Sequence, residues 1–291
     1  MKFNNAVSSI LFDRVLKPPW FPLGKPIFDG DDYHESYRYD DFFAPKSFWI
    51  KTIEKVCATR GGPCLDIGGG TGFTAEALVR AGLTVTTIEK SSVMIGKAWE
   101  RWKKLNSDEQ ARWNLIHGDL RDIRLKHKFS TLLALGGPMT FLNNEYELLS
   151  CLENYRNLLD RTGVFYLDVF NIDYWAGRPH WKQGVWNLWF TKRVGGRFFC
   201  AWHKTSSGEH QSQIKFEYQL AENFLTYRRT GTHVLFMPLA AWKRLLEKAG
   251  YSIVKTFGNW LSEVEGAEYP PTPHNDLITF KLQPLVVRRF S

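Results

Sequence analysis

The feature that most constrains the fold is a glycine-rich run at residues 64–73. It reads Cys-Leu-Asp-Ile-Gly-Gly-Gly-Thr-Gly-Phe, an apolar stretch of strand length followed by a cluster of glycines. Glycines let the backbone turn sharply and approach a ligand closely, where a Cβ atom would collide. The pattern therefore predicts a buried strand, a tight turn and a helix over residues 73–80.

The strand ends in an acid, Asp66, which bears on the kind of ligand that the turn accepts. A dinucleotide fold places a pyrophosphate at this helix N-terminus, and a carboxylate there would repel it. A carboxylate suits a ligand with positive charge, and S-adenosylmethionine carries an ammonium and a sulfonium group. The residues therefore favour a methyl-donor site; a Rossmann dehydrogenase and a degenerate relative that binds nothing are the alternatives.

Two further acids follow at the ends of the next two candidate strands. Residues 83–88 form a β-branched run that ends at Glu89, whose carboxylate can accept hydrogen bonds from both ribose hydroxyls. Residues 113–117 lead into Gly118, Asp119 and Leu120, where the acid can accept from the adenine amino group and Leu120 can offer its N–H to a ring nitrogen. These strand ends predict a line of ligand contacts along the carboxyl edge of an open sheet.

With the run Asp66-Ile67-Gly68-Gly69-Gly70-Thr71-Gly72, then Glu89, then Gly118-Asp119-Leu120, the chain resembles the class I S-adenosylmethionine-dependent methyltransferases. The resemblance covers residues 63–171 well and the stretch from residue 238 more loosely. It implies an α/β, Rossmann-like sheet of seven strands whose last strand inserts antiparallel between its predecessors. The cofactor contacts that it implies are Asp66, Gly68, Gly70, Gly72, Glu89, Asp119, Leu120 and Leu135.

The remaining elements of such a sheet can be located from periodicity and from helix start and stop signals. Asn144 with Glu147 forms the pattern of a capping box, and Gly250 stops the helix that Pro238 opens. We predict helices over 144–158 and 238–250, and strands over 129–135, 164–170, 251–257 and 276–282.

Between residues 171 and 237 the sequence consists of stretches in which apolar and polar residues alternate, separated by turn signals. This pattern predicts an antiparallel meander. This insertion after the fifth strand resembles that of the sugar-amine and glycine-type N-methyltransferases, where it covers the active site and often mediates subunit contact. A homodimer through the insertion is therefore an expectation. The predicted strands are 186–193, 197–204, 212–220 and 223–229, with 233–237 extending the last.

The catalytic candidates lie outside the sheet core. Relatives carry a Tyr-Asp pair in a helical lid over the cofactor, and Tyr39-Asp40 matches it; an ordinary surface helix is the alternative. An amine acceptor need only be bound neutral, whereas a hydroxyl benefits from a base, for which His203 and His233 in the insertion are candidates. Some sugar-amine relatives place a histidine shortly after the fourth strand, where this chain has Phe141.

We thus expect an N-terminal lid over residues 1–50, a cofactor-binding core over 51–171, the insertion as a substrate cap over 172–237, and a C-terminal completion of the sheet over 238–291. The four cysteines show no metal-ligand or C-x-x-C spacing, as expected of reduced thiols in a cytoplasmic protein. The sequence contains no run of about 18 apolar residues, so it predicts no membrane span. Asp168 with Asn171 makes too few oxygen ligands for a magnesium site.

The formal charge of +8 raises the question of nucleic acid, but the basic residues are spread thinly along the chain. The segment after the fourth strand lacks the Asn/Asp-Pro-Pro-Tyr/Phe sequence of base-modifying relatives, which favours a small-molecule acceptor. The sequence therefore predicts methyl transfer from S-adenosylmethionine to a small molecule, with an amine nitrogen as the leading acceptor. A hydroxyl or carboxyl acceptor, an RNA or protein substrate, and a scaffold without activity are the alternatives.

Overall fold

A seven-stranded mixed sheet forms the centre of the computed structural model, which describes residues 40, 47–171, 187–190, 197–207, 212–221, 227–258 and 277–285. The strands are β1 (Cys64–Ile67), β2 (Val85–Glu89), β3 (Trp113–His117), β4 (Phe129–Ala134), β5 (Leu159–Phe170), β6 (Asn187–Phe190), β7 (Arg197–Ser207), β8 (Ser212–Ala221), β9 (Tyr227–Phe236), β10 (Tyr251–Phe257) and β11 (Leu277–Pro284). The helices are α1 (Ser47–Arg60), α2 (Phe73–Arg80), α3 (Ser92–Trp102), α4 (Ser107–Arg112), α5 (Glu145–Leu158) and α6 (Leu239–Lys248), and a 3₁₀ turn spans Pro138–Phe141.

The central sheet has the strand order β10-β11-β5-β4-β1-β2-β3. The strands from β5 to β3 pair in parallel, and β11 runs antiparallel between β5 and β10. The predicted α/β sheet with an antiparallel last strand is therefore confirmed. Because β1 to β4 are parallel, their carboxyl ends, each followed by a loop, meet at one edge of the sheet.

The predicted boundaries differ from the observed ones where a strand continues directly from a helix. Strand β5 begins at Leu159, immediately after α5, and not at residue 164. Leu159 lies opposite Phe129 at the start of β4, and the register shifts before Thr131 pairs with Val164. The early start thus adds one further backbone pairing ahead of the regular ladder.

The insertion after β5 contains a four-stranded antiparallel sheet in the order β6-β7-β8-β9. The predicted segments around residues 229 and 233 form one continuous strand, β9, whose register runs from Tyr227 opposite Ala221 to Phe236 opposite Ser212. This strand leads straight into α6 and so back to the central sheet. Strand β9 also contacts the 3₁₀ turn at Pro138–Phe141, which places one edge of the insertion beside the loop after β4.

Apolar layers cover both faces of the central sheet. One contains Tyr155 of α5 and Trp242 of α6, each essentially buried, and the other contains Leu78 of α2 and Ile95 of α3. The buried Tyr251 hydroxyl donates to the Leu152 carbonyl (2.9 Å) and so joins β10 to α5. Among the helices that the structure describes, none has the length and apolar character that a bilayer crossing requires.

The start of α5 departs from the predicted capping box in one of its two bonds. The Asn144 side chain accepts from the Glu147 N–H (2.9 Å), as predicted. The Glu147 carboxylate, however, accepts from the side-chain amide of Asn143 (3.0 Å) and from the Asn143 N–H (3.3 Å), and not from the N–H of Asn144. The box is therefore half-formed, because the preceding residue offers two donors to the same carboxylate.

Asp168 near the end of β5 connects three parts of the sheet edge. Its carboxylate accepts from the Gly136 N–H (3.0 Å) in the loop after β4 and from the Thr279 hydroxyl (2.6 Å) on β11. Asp168 and Thr279 are both buried. Asp168 therefore serves here as an acceptor that fastens the loop after β4 to the sheet.

Substituting Asp168 by Ala should destabilise the fold, because the buried Thr279 hydroxyl loses its acceptor. We expect a loss of roughly 1–3 kcal/mol in the free energy of unfolding, measured by urea denaturation. The exposed Asp122→Ala variant is the control and should stay within about 0.5 kcal/mol of the unaltered protein. Equal stabilities of the two variants would contradict the assigned role.

Candidate functional site

The turn after β1 requires glycine both for its backbone angles and for space. Gly68, Gly70 and Gly72 have φ values of +65°, +59° and +82°. A Cβ atom on Gly68 would lie 2.5 Å from the Pro138 side chain, and one on Gly72 would lie 2.8 Å from the Trp113 ring. The turn is therefore held between the 3₁₀ turn on one side and β3 on the other.

An open cleft of ≈ 690 Å³ lies at the carboxyl edge of the sheet. Most of the residues predicted to contact a cofactor line it: Gly68, Gly70, Glu89, Asp119, Leu120 and Leu135. Asp66 and Gly72 are not among its lining residues. Gly72 instead begins α2 and makes room for Trp113, which donates from its indole nitrogen to the Thr87 hydroxyl (2.9 Å).

Asp66 lies directly beneath the glycine turn and is only 2% exposed. A Cβ atom on Gly69 would overlap its Oδ2 atom, and this oxygen has no hydrogen-bond partner among the residues that the structure describes. Burial, and then the charge of Glu89, raises the pKa of Asp66 to about 7. The ionised form of a buried carboxylate is unfavourable unless a cation is bound nearby, so the turn fits a positively charged ligand.

Glu89 at the end of β2 holds the turn from the other side. One of its carboxylate oxygens accepts from the Gly70 N–H (2.9 Å), and the other accepts from the Ser91 N–H (2.7 Å). Burial raises the pKa of Glu89, although these backbone bonds act in the opposite direction. The carboxylate therefore has a fixed orientation, and each oxygen retains a lone pair for a ligand hydroxyl.

Asp119 after β3 is held by a partner that the sequence did not suggest. Arg121 donates to it from Nε (2.9 Å) and from Nη2 (2.6 Å), and Lys90 lies 3.6 Å away. Although burial acts to raise it, the hydrogen bonds from Arg121 lower the pKa of Asp119 to about 2. The neighbouring Leu120 is fixed through its carbonyl, which accepts from the Tyr155 hydroxyl (2.8 Å).

Several lining residues were missed because no motif marks them. The Pro138 ring lies against Gly68, and the Phe141 ring packs edge-on against Phe170, with ring centroids 6.5 Å apart. The signal in the sequence was the position of Pro138 and Phe141 just after the fourth strand, where Gly136 and Gly137 favour a turn. The other missed lining residues include Lys90, Ser91, Ser92, Met94, His117, Arg121, Leu142 and Asn143.

The catalytic candidates stay predictions, and the structure describes only the backbone positions of His203 and His233. Tyr39 lies outside the described residues, and Asp40 beside it accepts from Arg101 Nη2 (3.0 Å) on α3. His203 lies on β7 and His233 on β9, and the register places both opposite Lys215 on the intervening β8. The three positions therefore form one row across the insertion sheet.

Replacing Gly68 by Ala tests whether the turn is sterically closed. Gly82, at the end of α2, also has a positive φ (+89°), but a Cβ atom there would meet nothing within 4 Å. Both Ala variants carry the backbone strain, and only Gly68→Ala adds the overlap with Pro138. Gly68→Ala should therefore lose at least about 1 kcal/mol more in urea unfolding than Gly82→Ala, as overpacking does in protein cores. Equal losses would mean that the turn has room for a side chain.

Burial of Asp66 also predicts a pH dependence of stability. Its pKa is about 7 in the folded state, well above the 3.8 of a solvent-exposed aspartate, so the unfolded chain releases this proton first as the pH rises. Between about pH 4 and pH 7 the group therefore lowers stability as the pH rises, by roughly 1 kcal/mol per pH unit. The Asp66→Asn variant should gain stability relative to the unaltered protein over this interval, measured by urea unfolding at pH 5 and pH 8. A difference that does not change with pH would contradict the burial of an isolated charge.

Known proteins agree with this geometry. Residues 64–163 match a family model described as a methyltransferase domain. Over 261 residues, the chain is 24% identical to a glycine/sarcosine N-methyltransferase of Halorhodospira halochloris, covering 82% of this chain and 88% of that protein.

Solved structures share the fold at low identity. The CcbJ methyltransferase from Streptomyces caelestis matches with a TM-score of 0.71 at 15% identity, covering 86% of this chain and 95% of that one. The glycopeptide N-methyltransferase MtfA, in complex with S-adenosyl-L-methionine, matches with a TM-score of 0.56 at 17% identity, covering 98% of this chain and 99% of the other. The family match shows that residues 64–163 are a methyltransferase domain, and the fold and the acid-bearing strand ends are those of the class I, S-adenosylmethionine-dependent type.

Proposed function

We propose that the chain transfers a methyl group from S-adenosylmethionine to the amine nitrogen of a small molecule. The observation that carries the proposal is the buried carboxylate of Asp66, whose Oδ2 atom has no partner in the described part of the chain. It lies beneath the glycine turn that lines the cleft, and the cleft carries the two further acids, Glu89 and Asp119, that a nucleoside requires. A pyrophosphate or another anion would find two buried carboxylates, Asp66 and Glu89, at this point of the sheet.

The described residues have separable roles in holding the cofactor. Asp66 balances its positive charge, and Glu89 accepts from the ribose hydroxyls while its own orientation is fixed by Gly70 and Ser91. Asp119 and the Leu120 N–H contact the edge of the base. When bound, S-adenosylmethionine supplies a methyl group on a sulfonium, activated for in-line displacement, so the protein contributes chiefly orientation and the exclusion of water.

The acceptor is proposed to approach from the side of Gly136, Pro138 and Phe141. This wall of the cleft follows β4 and contacts β9 of the insertion, so it joins the cofactor edge to the sheet that we propose as the substrate cap. We propose Tyr39 as an orienting hydroxyl, and His203 and His233 as the groups that receive a proton where the acceptor binds charged. An amine that binds neutral needs no base before transfer.

The choice of an amine is supported by the named relatives. A similarity to a glycine/sarcosine N-methyltransferase extends over 82% of the chain, well beyond the residues 64–163 that match the methyltransferase domain. The wall beside the glycine turn includes Pro138 and the aromatic ring of Phe141. We further propose that the four segments of the chain act as lid, core, cap and completion of the sheet, and that a homodimer forms through the cap.

The test is a methyl-transfer assay with the full chain, S-adenosylmethionine and four acceptor classes. These are small amines (glycine, sarcosine and an amino sugar), phenols, small carboxylic acids and transfer RNA. We expect S-adenosylhomocysteine to form with an amine and the methylated product to appear by mass spectrometry. The Asp66→Asn variant should lose at least about 100-fold in kcat/KM, because a charge-assisted contact is removed at a buried site.

The control is Asp122→Asn, an exposed acid that should leave the rate unchanged. Turnover only with phenols or carboxylic acids would move the assignment to O-methylation. Turnover only with transfer RNA would contradict the small-molecule proposal. An Asp66→Asn variant as active as the unaltered chain would contradict the assigned role of Asp66.

A further inference from the structure

We propose that Arg121 is a positioning residue that makes the cleft selective for a 6-aminopurine base, because it holds Asp119 as a fixed hydrogen-bond acceptor. The inference rests on the proposed function, since it concerns the base of the cofactor. It goes beyond it by assigning the selectivity to a residue whose own partners are all protein groups in this structure.

The contact between Arg121 and Asp119 fixes the carboxylate in orientation. Asp119 Oδ1 accepts from the Arg121 N–H (3.0 Å) and from Nε (2.9 Å), and Oδ2 accepts from Nη2 (2.6 Å). A planar guanidinium that binds both oxygens in parallel sets the plane of the carboxylate as well as its position. A lysine ammonium cannot do this, because it is a point charge on a flexible stem.

The guanidinium also has an acidic partner on α5. Arg121 Nη1 lies 3.6 Å from Glu147 Oε2 in the first turn of α5. Glu147 in turn accepts from the side-chain amide of Asn143, at 3.0 Å to each oxygen. Arg121 thus links the loop after β3, which lines the cleft, to the start of α5, which follows the lining residue Asn143. The orientation of Asp119 is therefore a property of the whole rim and not of one flexible loop.

The arrangement leaves a defined pattern of donors and acceptors at the rim. Asp119 is ionised, so it can only accept, and 18% of its side chain is exposed. The next residue, Leu120, offers a backbone N–H, and its carbonyl is tied to Tyr155. An acceptor beside a donor complements the edge of adenine, which presents an amino donor beside a ring-nitrogen acceptor. A deaminated base presents a carbonyl oxygen and a ring N–H, so both contacts would be reversed.

The test compares two ligands that differ only at this edge of the base. The full chain is titrated calorimetrically with S-adenosylhomocysteine and with its deaminated analogue, S-inosylhomocysteine. The unaltered protein should prefer the adenine form by about tenfold or more, since the deaminated form loses the charge-assisted hydrogen bond to Asp119 and the bond from the Leu120 N–H. In Arg121→Met this ratio should fall to about 3 or less, chiefly through weaker binding of the adenine form.

Two further variants separate positioning from a general effect on the fold. Arg124 lies in the same loop, and its guanidinium donates to the Ile123 carbonyl and not to Asp119. The ratio of the two affinities in Arg124→Met should therefore equal that of the unaltered protein. Arg121→Lys keeps the charge without the fork, and its ratio should be intermediate. Thermal unfolding without ligand checks that each variant is folded.

The outcomes distinguish this inference from the proposed function. A ratio in Arg121→Met equal to that of the unaltered chain, or an equal loss of affinity for both ligands, would overturn the role of Arg121. An unaltered chain that binds both ligands equally would overturn it as well. An unaltered chain that binds neither ligand would instead contradict the proposed function itself.

Discussion

The cofactor edge of this domain is organised around a buried acid, Asp66, whose Oδ2 atom has no hydrogen-bond partner among the described residues. Asp66 lies under the turn that follows β1, and Glu89 lies beside it at the end of β2, so two carboxylates share a region that water scarcely reaches. Burying isolated charge costs free energy, and here the cost falls at the place where the sheet meets its ligand. A bound cation offsets that cost, which is why the same residues that weaken the empty site favour a sulfonium and ammonium ligand.

The loops around the cleft are held by a recurring contact between a strand-end acid and a backbone N–H of a neighbouring turn. Glu89 at the end of β2 accepts from Gly70 in the turn after β1, and Asp168 near the end of β5 accepts from Gly136 in the loop after β4. Each contact crosses from one strand to the loop of an adjacent strand. The edge of the sheet is therefore rigid before any ligand arrives, and a preorganised edge suits a reaction that depends on orientation.

Most of the fold could be predicted because its signals are local. The glycine cluster, the β-branched runs and the helix caps specify elements within about ten residues, and the observed strands and helices of the core follow them closely. The positions of Glu89, Asp119 and Leu120 on the cleft could also be predicted, since the carboxyl ends of parallel strands share one edge.

What could not be predicted depends on side-chain geometry between distant elements. The burial of Asp66 beneath Gly69 and the seating of Pro138 against Gly68 arise only when loops from different strands meet. Arg121 and Asp119, which form a bidentate contact, are close in sequence. The contact of Arg121 with Glu147 on α5, however, depends on how the loop after β3 packs against that helix. Periodicity also divided β9 into two segments, because Gly231 and the threonines around it break the alternation that marks a strand.

The most direct test of the central claim is a calorimetric titration of the full chain with S-adenosylmethionine at pH 6, repeated in two buffers of different ionisation enthalpy. With a pKa of about 7 in the empty protein, Asp66 is mostly protonated at that pH, whereas the ammonium of the ligand is fully charged. The account predicts binding accompanied by the release of close to one proton, and no release in an Asp66→Asn variant. Absence of binding, or binding by the unaltered chain that releases no proton, would contradict it.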